Sequence, residues 1–430
     1  MKLFVLIVFI LVYVLILGFP KYKVYAAGGA ALLTAGGVLI AGISTFSVAL
    51  SSINYNVILM LLGIMLTVGL FSDSGMPNRL ADKLMSKIPN ALLAIIIICV
   101  LSGLVSALID NVATVLMLAP IGLALAKKAD VSPVPVIIGI AVSSNLQGAA
   151  TLVGDTTSIM LAAPDFANMS FMDFFFMNGK PSIFWAVELG MLLTIPVLYF
   201  IFRKENKRIC ITSEQIPVTS YLPTVLLLLN IALLIGTSFI DKKPEITNGV
   251  ICMVIGLIGF VYYLIKNKAN AFETAKSLID FETIFFLFFL FILIFAVEKV
   301  GIIADISKFF AGIGSNNVFL LYTLIVVGSV IISAFIDNIP YVATMLPVIA
   351  SLCASLPGVE PNLLYFGLLL GATLGGNITP VGASANVVGI GMLRKEGYQV
   401  KNKDFFKIGI PFTLVAVIGG ALLTYLVWGL

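Results

Sequence analysis

Two Asp-Asn pairs stand inside apolar stretches of the chain, where charged side chains are rare. Asp110-Asn111 lies in SALIDNVATVLMLAPI, and Asp337-Asn338 lies in SAFIDNIPYVATMLPVI, each with a proline ten residues after the aspartate. A charged group at the centre of a bilayer costs about 2.5–3.5 kcal/mol on insertion scales, and such groups mark ion or solute pathways. We therefore predict that both pairs bind an ion or a polar solute, with Thr114 as a further ligand beside the first pair.

Each aspartate is followed, about 44 residues later, by a second motif. The sequences are NLQGAATLVGDTTS at 145–158 and GGNITPVGASAN at 375–386. Their glycines and Pro380 favour a broken helix, whose free carbonyls and N–H groups can bind ions and polar solutes. Candidate ligands from these motifs are Asn145, Gly154, Asp155, Thr156, Thr157, Asn377, Thr379, Gly382, Ser384 and Asn386.

Several of these residues have a structural alternative. Asp155 can be a helix N-cap, and the equivalent position of the second motif is Ala383. The asparagines can cap half-helices or bond to unwound backbone, and the glycines can permit close helix packing. Glu188 lies in an apolar segment outside both motifs, where a scaffold or dimer contact and a proton path remain open.

The composition places these motifs in a membrane protein. Of the 430 residues 60% are hydrophobic and 11% are charged, whereas globular proteins have about 45–50% and about 25%. The charge of +4 is spread over short loops, so no nucleic-acid partner is expected. The four cysteines have no Cys-x-x-Cys spacing, which predicts neither a disulfide framework nor a thiolate metal site. No cofactor is expected other than Na⁺ at the candidate ligands.

Twelve apolar segments must position the motifs. We expect the first to be a retained helix rather than a cleaved signal, and 76–88 and 302–313 to be interfacial helices. Segments 90–126 and 317–355 are too long for one crossing and carry the Asp-Asn pairs near their middles, which predicts re-entrant hairpins. The segments are about 3–19, 24–42, 55–71, 90–126, 131–166, 181–202, 221–240, 247–265, 281–297, 317–355, 361–392 and 406–429.

If the hairpins do not cross, each half of the chain has five crossings. Five is odd, so the second half must be inverted relative to the first. The matching landmarks are shifted by about 226 residues, which is the signature of an internal repeat. The predicted fold is therefore an all-α polytopic membrane protein with two inverted repeats, 1–215 and 216–430. The broken helices are expected at about 131–166 and 361–392.

The basic residues test this crossing count. With it, nineteen of the 25 Lys and Arg residues fall on one face of the membrane. The positive-inside rule makes that face cytoplasmic. We therefore expect a multi-pass protein of the cytoplasmic (inner) membrane with both termini outside.

The motifs resemble those of a known superfamily. The Asp-Asn hairpins, GAATLVGD at 148–155 and GGNITPVGASANVV at 375–388 are similar to the ion transporter superfamily, nearest its arsenite permease and pigmentation P-protein branch. This group is related to sodium/proton antiporters and divalent anion:sodium symporters, and the likeness covers the whole chain. It implies a secondary transporter with a scaffold that forms a homodimer and a transport domain that moves in an elevator-like manner.

The resemblance also bears on the substrate. Sodium-coupled dicarboxylate transporters of the superfamily carry Ser-Asn-Thr at the hairpin tips, whereas this chain has Asp-Asn-Val at 110–112 and Asp-Asn-Ile at 337–339. Two added carboxylates would repel a dicarboxylate. The first broken-helix motif also resembles that of sodium/proton antiporters.

The expected function is secondary active transport of an inorganic ion or small polar solute, such as arsenite, antimonite or Na⁺, coupled to H⁺ or Na⁺. The chain has no histidine, so proton coupling would use carboxylates, whose neutral form is favoured by burial. A sodium-coupled di- or tricarboxylate (citrate-like) symporter is the alternative, and an ion channel is the alternative of another class. An enzyme is not expected, because no nucleophile and base pair is evident.

Overall fold

The computed structural model describes residues 1–209, 217–240, 242–268, 270–314 and 317–430. The regular secondary structure of the described residues is helical apart from two short antiparallel strands, β1 (Phe176–Met177) and β2 (Lys180–Pro181). The helices of the first half are α1 (Lys2–Gly18), α2 (Lys23–Ile40), α3 (Phe46–Ser51), α4 (Tyr55–Asp73), α5 (Met76–Met85), α6 (Ala91–Ser106), α7 (Asn111–Lys128), α8 (Pro133–Gly148), α9 (Thr156–Leu161) and α10 (Ile183–Phe202).

The second half repeats much of this order. Its helices are α11 (Leu222–Thr237), α12 (Thr247–Asn267), α13 (Ala271–Leu278), α14 (Phe281–Lys299), α15 (Ile302–Gly314), α16 (Val318–Ser333), α17 (Asn338–Ser355), α18 (Pro361–Gly375), α19 (Ser384–Lys395) and α20 (Asn402–Trp428). Among the described residues, eight helices are long and apolar enough to cross a membrane. The predicted all-helical membrane architecture is therefore confirmed, whereas the short helices α3 and α13 were not predicted.

The first hairpin consists of α6 and α7. Asn90 caps α6 by accepting a hydrogen bond from the Leu93 N–H. The Ala91 N–H, at the start of α6, donates to the Lys207 carbonyl oxygen. The Lys207 ammonium group donates to the carbonyl oxygen of Asp130, just beyond the end of α7. Both ends of the hairpin therefore meet one segment, so α6 and α7 enter and leave on the same face of the molecule.

The second hairpin consists of α16 and α17, and Asn317 caps α16 as Asn90 caps α6. The Phe319 ring at its start lies 4.9 Å from the Tyr425 ring of α20. Beyond its end, the Phe366 ring of α18 lies 5.4 Å from the Trp428 ring. The start of this hairpin and the first turns of the helix that follows it are therefore close to the C-terminal end of α20.

Two helices are broken at the predicted motifs. One runs from α8 to α9 with a break at 149–155, and the other runs from α18 to α19 with a break at 376–383. Each break comes within hydrogen-bonding distance of the tip of the hairpin that precedes it in the chain. The break residues are therefore held at the level of the hairpin tips.

The helices pack as two groups. The scaffold group comprises α1, α2, α4, α11, α12 and α14, and the hairpin group comprises α6 to α10 and α16 to α20. Within the scaffold group α4 and α12 cross so closely that a Cβ atom at Gly256 would lie 2.7 Å from the Gly63 carbonyl oxygen. Small residues at such crossings let helix backbones approach in a membrane. The cysteines in the described part of the chain are free, and Cys99 and Cys252 are buried, whereas Cys210 lies outside the described residues.

Candidate functional site

The hairpin tips deliver two aspartates as helix caps. Asp110 is the N-cap of α7, where its Oδ1 accepts hydrogen bonds from the N–H groups of Val112 (2.9 Å) and Ala113 (3.3 Å). Asp337 is the N-cap of α17 and accepts from the Ile339 N–H (3.3 Å). A helix N-terminus stabilises a negative charge. Each hairpin therefore supports a carboxylate at its turn.

The tips and breaks line one cavity of about 380 Å³ between the two helix groups. The hairpin group contributes seven of the predicted ligands to its wall. The opposite wall is formed by α4, the start of α14 and the residues 277–280 just before it. Among the described residues that line it, none is a lysine or arginine. The predicted ligands on this wall are Asp110, Asn111, Asp155, Thr156, Asp337, Asn338 and Ser384.

Asp155 of the first broken helix contacts the tip of the second hairpin. It is only 4% exposed. Its Oδ2 accepts a hydrogen bond from the Asn338 side-chain amide (2.8 Å) and another from the Thr157 hydroxyl (2.9 Å). Asp110 and Asp337 are close enough for their charges to repel a charge on Asp155. The cavity therefore concentrates negative charge on groups from three separate chain segments.

Asn145 joins the two breaks behind the cavity. Its amide nitrogen donates to the Oδ1 atoms of Asn377 (2.8 Å) and Asn386 (2.9 Å), and its Oδ1 accepts from the Asn111 amide (3.0 Å). Asn377 also donates to the Val142 carbonyl oxygen (3.0 Å). These buried amides have partners, as buried polar groups require.

The other predicted ligands lie outside the cavity wall, where Thr114 stabilises the first hairpin tip and Thr379 and Asn386 stabilise the second break. Thr114 donates to the Ile109 carbonyl oxygen (3.4 Å), and Thr379 donates to the Ala334 carbonyl oxygen at the second hairpin tip. Asn386 donates to the carbonyl oxygens of Gly376 (2.8 Å) and Thr379 (3.0 Å).

The two predicted glycines permit close packing. A Cβ atom at Gly154 would lie 2.6 Å from the Gly148 carbonyl oxygen, and one at Gly382 would lie 2.7 Å from the Gly376 carbonyl oxygen. Gly154 and Gly382 thus make the close contacts named as their structural alternative, and their role as ligands stays a prediction.

Two acidic residues of the cavity were not predicted. Asp73 ends α4, and Asp280 is the N-cap of α14, where it accepts hydrogen bonds from the Thr283 N–H (3.1 Å) and hydroxyl (2.6 Å). An aspartate three residues before a threonine at the start of an apolar run is a capping signal, but no local pattern indicates that it faces the hairpin tips. Within the described ranges, no three acidic, His or Cys side chains converge closely enough to hold one metal ion.

Glu188 lies on α10, which packs on α20, α6 and α8. It therefore lies in the hairpin group and not in the scaffold group.

The geometry can now be compared with known proteins. The chain matches the model of the CitMHS family, described as citrate transporter, over residues 4–371 and 268–429. It is 30% identical over 441 residues to an uncharacterized transporter of Mycobacterium tuberculosis, Rv2685, with 100% of both chains covered. It is 26% identical over 443 residues to the P protein of Homo sapiens, covering 85% of this chain and 52% of that protein.

Solved structures share the fold at low identity. The YdaH transporter of Alcanivorax borkumensis, whose crystal structure is described as having an unusual topology, superposes with a TM-score of 0.60 at 17% identity, covering 85% of this chain and 84% of that chain. MtrF of Neisseria gonorrhoeae superposes with a TM-score of 0.55 at 16% identity, covering 87% and 81%. The P-protein match confirms the predicted superfamily. This chain is a multi-pass membrane transporter that belongs to the CitMHS citrate transporter family of the ion transporter superfamily.

Proposed function

We propose that this transporter moves an inorganic ion or small polar solute, of the arsenite, antimonite or Na⁺ type, by secondary active transport coupled to H⁺ or Na⁺. One observation carries the proposal. Asp73, Asp110, Asp155, Asp280 and Asp337 all line the same cavity, and no basic side chain among its described lining residues balances them. Such a wall attracts cations and tolerates neutral oxygen-rich solutes, whereas it repels a free anion.

The aspartates are also suited to bind the coupling ion. Asp337 accepts a hydrogen bond from the Ser384 hydroxyl (3.0 Å), so the second break helps to orient the second tip. Carboxylate, hydroxyl and amide oxygens are the ligands that hard cations prefer. A proton can neutralise the same carboxylates, and therefore H⁺ and Na⁺ would compete for them.

The proposed mechanism is an elevator-type exchange of access. The hairpin group and the scaffold group pack mainly within themselves, and the aspartate cavity lies between them. A second cavity of about 570 Å³ lies at the other end of α4, where Asn54 and Val57 face α17. A slide of the hairpin group along α4 would carry the aspartates from one cavity towards the other. The inverted repeats, the homodimer, the cytoplasmic membrane and the outward-facing termini belong to the same proposal.

Citrate-like transport is the second candidate, because the matching family is described as citrate transporter. In the aspartate cavity a tricarboxylate would first need cations on the acidic side chains to offset the repulsion. This predicts strict sodium or proton dependence of any citrate uptake. An ion channel is distinguished by a flux that does not saturate with solute.

The test is transport by the purified protein in liposomes. Ion gradients are imposed, a pH-sensitive dye is enclosed, and the uptake of Na⁺, arsenite and citrate is followed. We expect saturable transport that depends on the gradient, and we expect Asp110→Asn and Asp337→Asn each to reduce it at least tenfold, because each removes a cavity charge while an amide oxygen can still cap the helix.

The matched control is Asp130→Asn, the same change at an exposed position. Its residue has a φ of 52°, a conformation that asparagine also adopts readily. Wild-type rates in either hairpin variant, with normal rates in the control, would remove that aspartate from the site.

A further inference from the structure

Glu188 is a charged residue that the aspartate cavity does not use. It is the only charged residue in α10, five residues or about 8 Å inside the start of that helix. It is half-buried, and its neighbours along the same helix face, Trp185 and Leu192, are 42% and 61% exposed. One side of Glu188 therefore faces the outer surface of the hairpin group, and the other faces the interior.

On the interior side Glu188 faces Gln147, near the end of α8: a Cβ atom at Gly103 would lie 2.9 Å from the Gln147 side chain and 3.3 Å from that of Met191, one turn after Glu188. Gln147 is fully buried. Within the described part of the chain, neither its Nε2 nor its Oε1 atom has an aligned hydrogen bond, and the Ser143 hydroxyl one turn earlier is also unpartnered. Buried polar groups without partners are rare in native proteins. This amide therefore calls for a neighbouring group that can both donate and accept a hydrogen bond.

Where three helices pack closely on this part of α10, none of their described residues is a lysine or arginine that could pair with a carboxylate. The helices packed on α10 are α6, α8 and α20. Residues 91–106 and 133–148 include no Asp, Glu, Lys or Arg, and neither does the stretch 411–424 of α20 that faces this part of α10. The nearest titratable group on α6 is the Cys99 thiol, which packs against Gly139, one turn from Ser143.

The arrangement is specific to the first half of the chain. A Cβ atom at Gly103 of α6 would lie 2.9 Å from the Gln147 side chain, so this glycine makes room for the amide. At the matching positions of the second half the sizes are exchanged: the hairpin arm carries Val330, and the broken helix carries Gly375. The space for a buried amide is therefore not a requirement of the shared architecture.

We propose that Glu188 and Gln147 form a proton-binding site inside the membrane, separate from the aspartate cavity. A neutral carboxylic acid donates its O–H to the Gln147 Oε1 atom and accepts from the Nε2–H group, so both atoms of the amide gain a partner. A carboxylate can only accept, which would leave Oε1 unpaired. The proton comes from water and remains on the carboxyl oxygen, and no bond between heavy atoms changes.

Infrared spectroscopy of the full-length protein in lipid tests this site without any transport assay. At pH 7 a free glutamate retains about 0.2% of its proton. We expect the wild-type minus Glu188→Gln difference spectrum to show the C=O band of close to one protonated carboxylic acid per chain at pH 7. Gln147→Met keeps the side-chain length but removes the amide, so it should shift this band to higher frequency.

The matched control is Glu205→Gln, at a residue that lies next to Lys207 on the surface loop after α10. It should leave the carboxylic-acid region unchanged at pH 7. A second measurement needs no variant. A hydrophobic carbodiimide reacts with a protonated carboxyl group: its nitrogen takes the acid proton, and its central carbon bonds to the carboxyl oxygen. Mass spectrometry should find this label on Glu188. An absent band at pH 7 would overturn the proposal, and so would a band that Gln147→Met leaves unmoved. Either result would leave the aspartate proposal standing.

Discussion

Each hairpin forms a unit with the broken helix that follows it in the chain, and the two units share the same backbone contacts. In the first, the Thr151 hydroxyl donates to the Ala107 carbonyl oxygen at the hairpin tip, and in the second Thr379 donates to Ala334 in the same way. Both tips begin their second helix with an aspartate cap. At both breaks two glycines six residues apart also pack against each other, Gly148 with Gly154 and Gly376 with Gly382. The duplicated contacts are those that hold a non-helical backbone at a hairpin tip.

The units differ in where their polar groups point. The amide of the first tip, Asn111, donates to Asn145 of its own broken helix. The amide of the second tip, Asn338, donates to Asp155 of the other one. At the position that corresponds to Asp155 the second unit has Ala383. Both tips therefore converge on the first broken helix, and the buried carboxylate belongs to one unit only.

This difference separates two roles that the sequence motifs combine. The common features build two turns beside one cavity, whereas the unequal features place a third carboxylate, Asp155, in the first unit only. The Glu188 and Gln147 pair follows the same asymmetry, because Gly375 occupies the matching position of the second broken helix. Variants at matched positions can therefore test which features stabilise the structure and which are needed for transport.

The largest effect is expected at Asp155. Asp155→Asn keeps an acceptor for the Asn338 amide but removes the charge, and Asp155→Ala removes both. We expect both variants to lose at least tenfold in ion-coupled transport in liposomes. Asp155→Ala should also lose about 1–3 kcal/mol in the free energy of unfolding, because a buried amide is left without its partner.

Asp130→Asn again serves as the control for the loss of one negative charge. If Asp155→Asn transported at the wild-type rate, the charge on the first broken helix would have no function, and the proposed asymmetry would be wrong.

The next effect should be equal in both units. A Cβ atom at Gly154 would lie 2.6 Å from the Gly148 carbonyl oxygen, and one at Gly382 would lie 2.7 Å from the Gly376 carbonyl oxygen. Backbone cannot yield as a flexible side chain does, so we expect Gly154→Ala and Gly382→Ala each to lower the free energy of unfolding by about 1–3 kcal/mol. Chemical denaturation in detergent measures it.

Gly328→Ala, in the first arm of the second hairpin, is the matched control. No atom lies within 4 Å of the added Cβ position, and alanine is the better helix former by up to about 1 kcal/mol. A large loss in only one of the two break variants would show that the breaks do not share the same backbone contacts.

The smallest effect concerns the hydroxyl groups that tie each break to its hairpin tip. Thr151→Val and Thr379→Val each remove the buried hydrogen bond to a tip carbonyl oxygen, together with a longer one accepted from the N–H two residues on. We expect each variant to cost about 1 kcal/mol of stability. The double variant should show the sum, because the two sites share no partner. Thr323→Val is the control, since its exposed hydroxyl bonds only within its own helix.

Much of the fold was predictable because it is written in local patterns. The lengths of the apolar runs and their glycines and prolines predicted the hairpins and breaks within a few residues. The helix α13 was missed, although Asn270 followed by Glu273 is a capping signal, because an eight-residue helix has too weak a periodicity. Asp73 and Asp280 were missed as cavity residues because they end and begin scaffold helices, and only the packing of the two helix groups turns them towards the hairpin tips.

The sequence by itself determined that this is a membrane protein, that two Asp-Asn turns lie within apolar segments, and that two helices break at glycine-rich motifs. These follow from hydrophobicity and backbone conformation, which act over a few residues. Only the tertiary structure decided which polar groups face the cavity and which hold the breaks. It directs Asn338 to Asp155 and turns Asn145 and Asn386 inward, because the partner of a buried polar group is set by helices that meet across more than a hundred residues of chain.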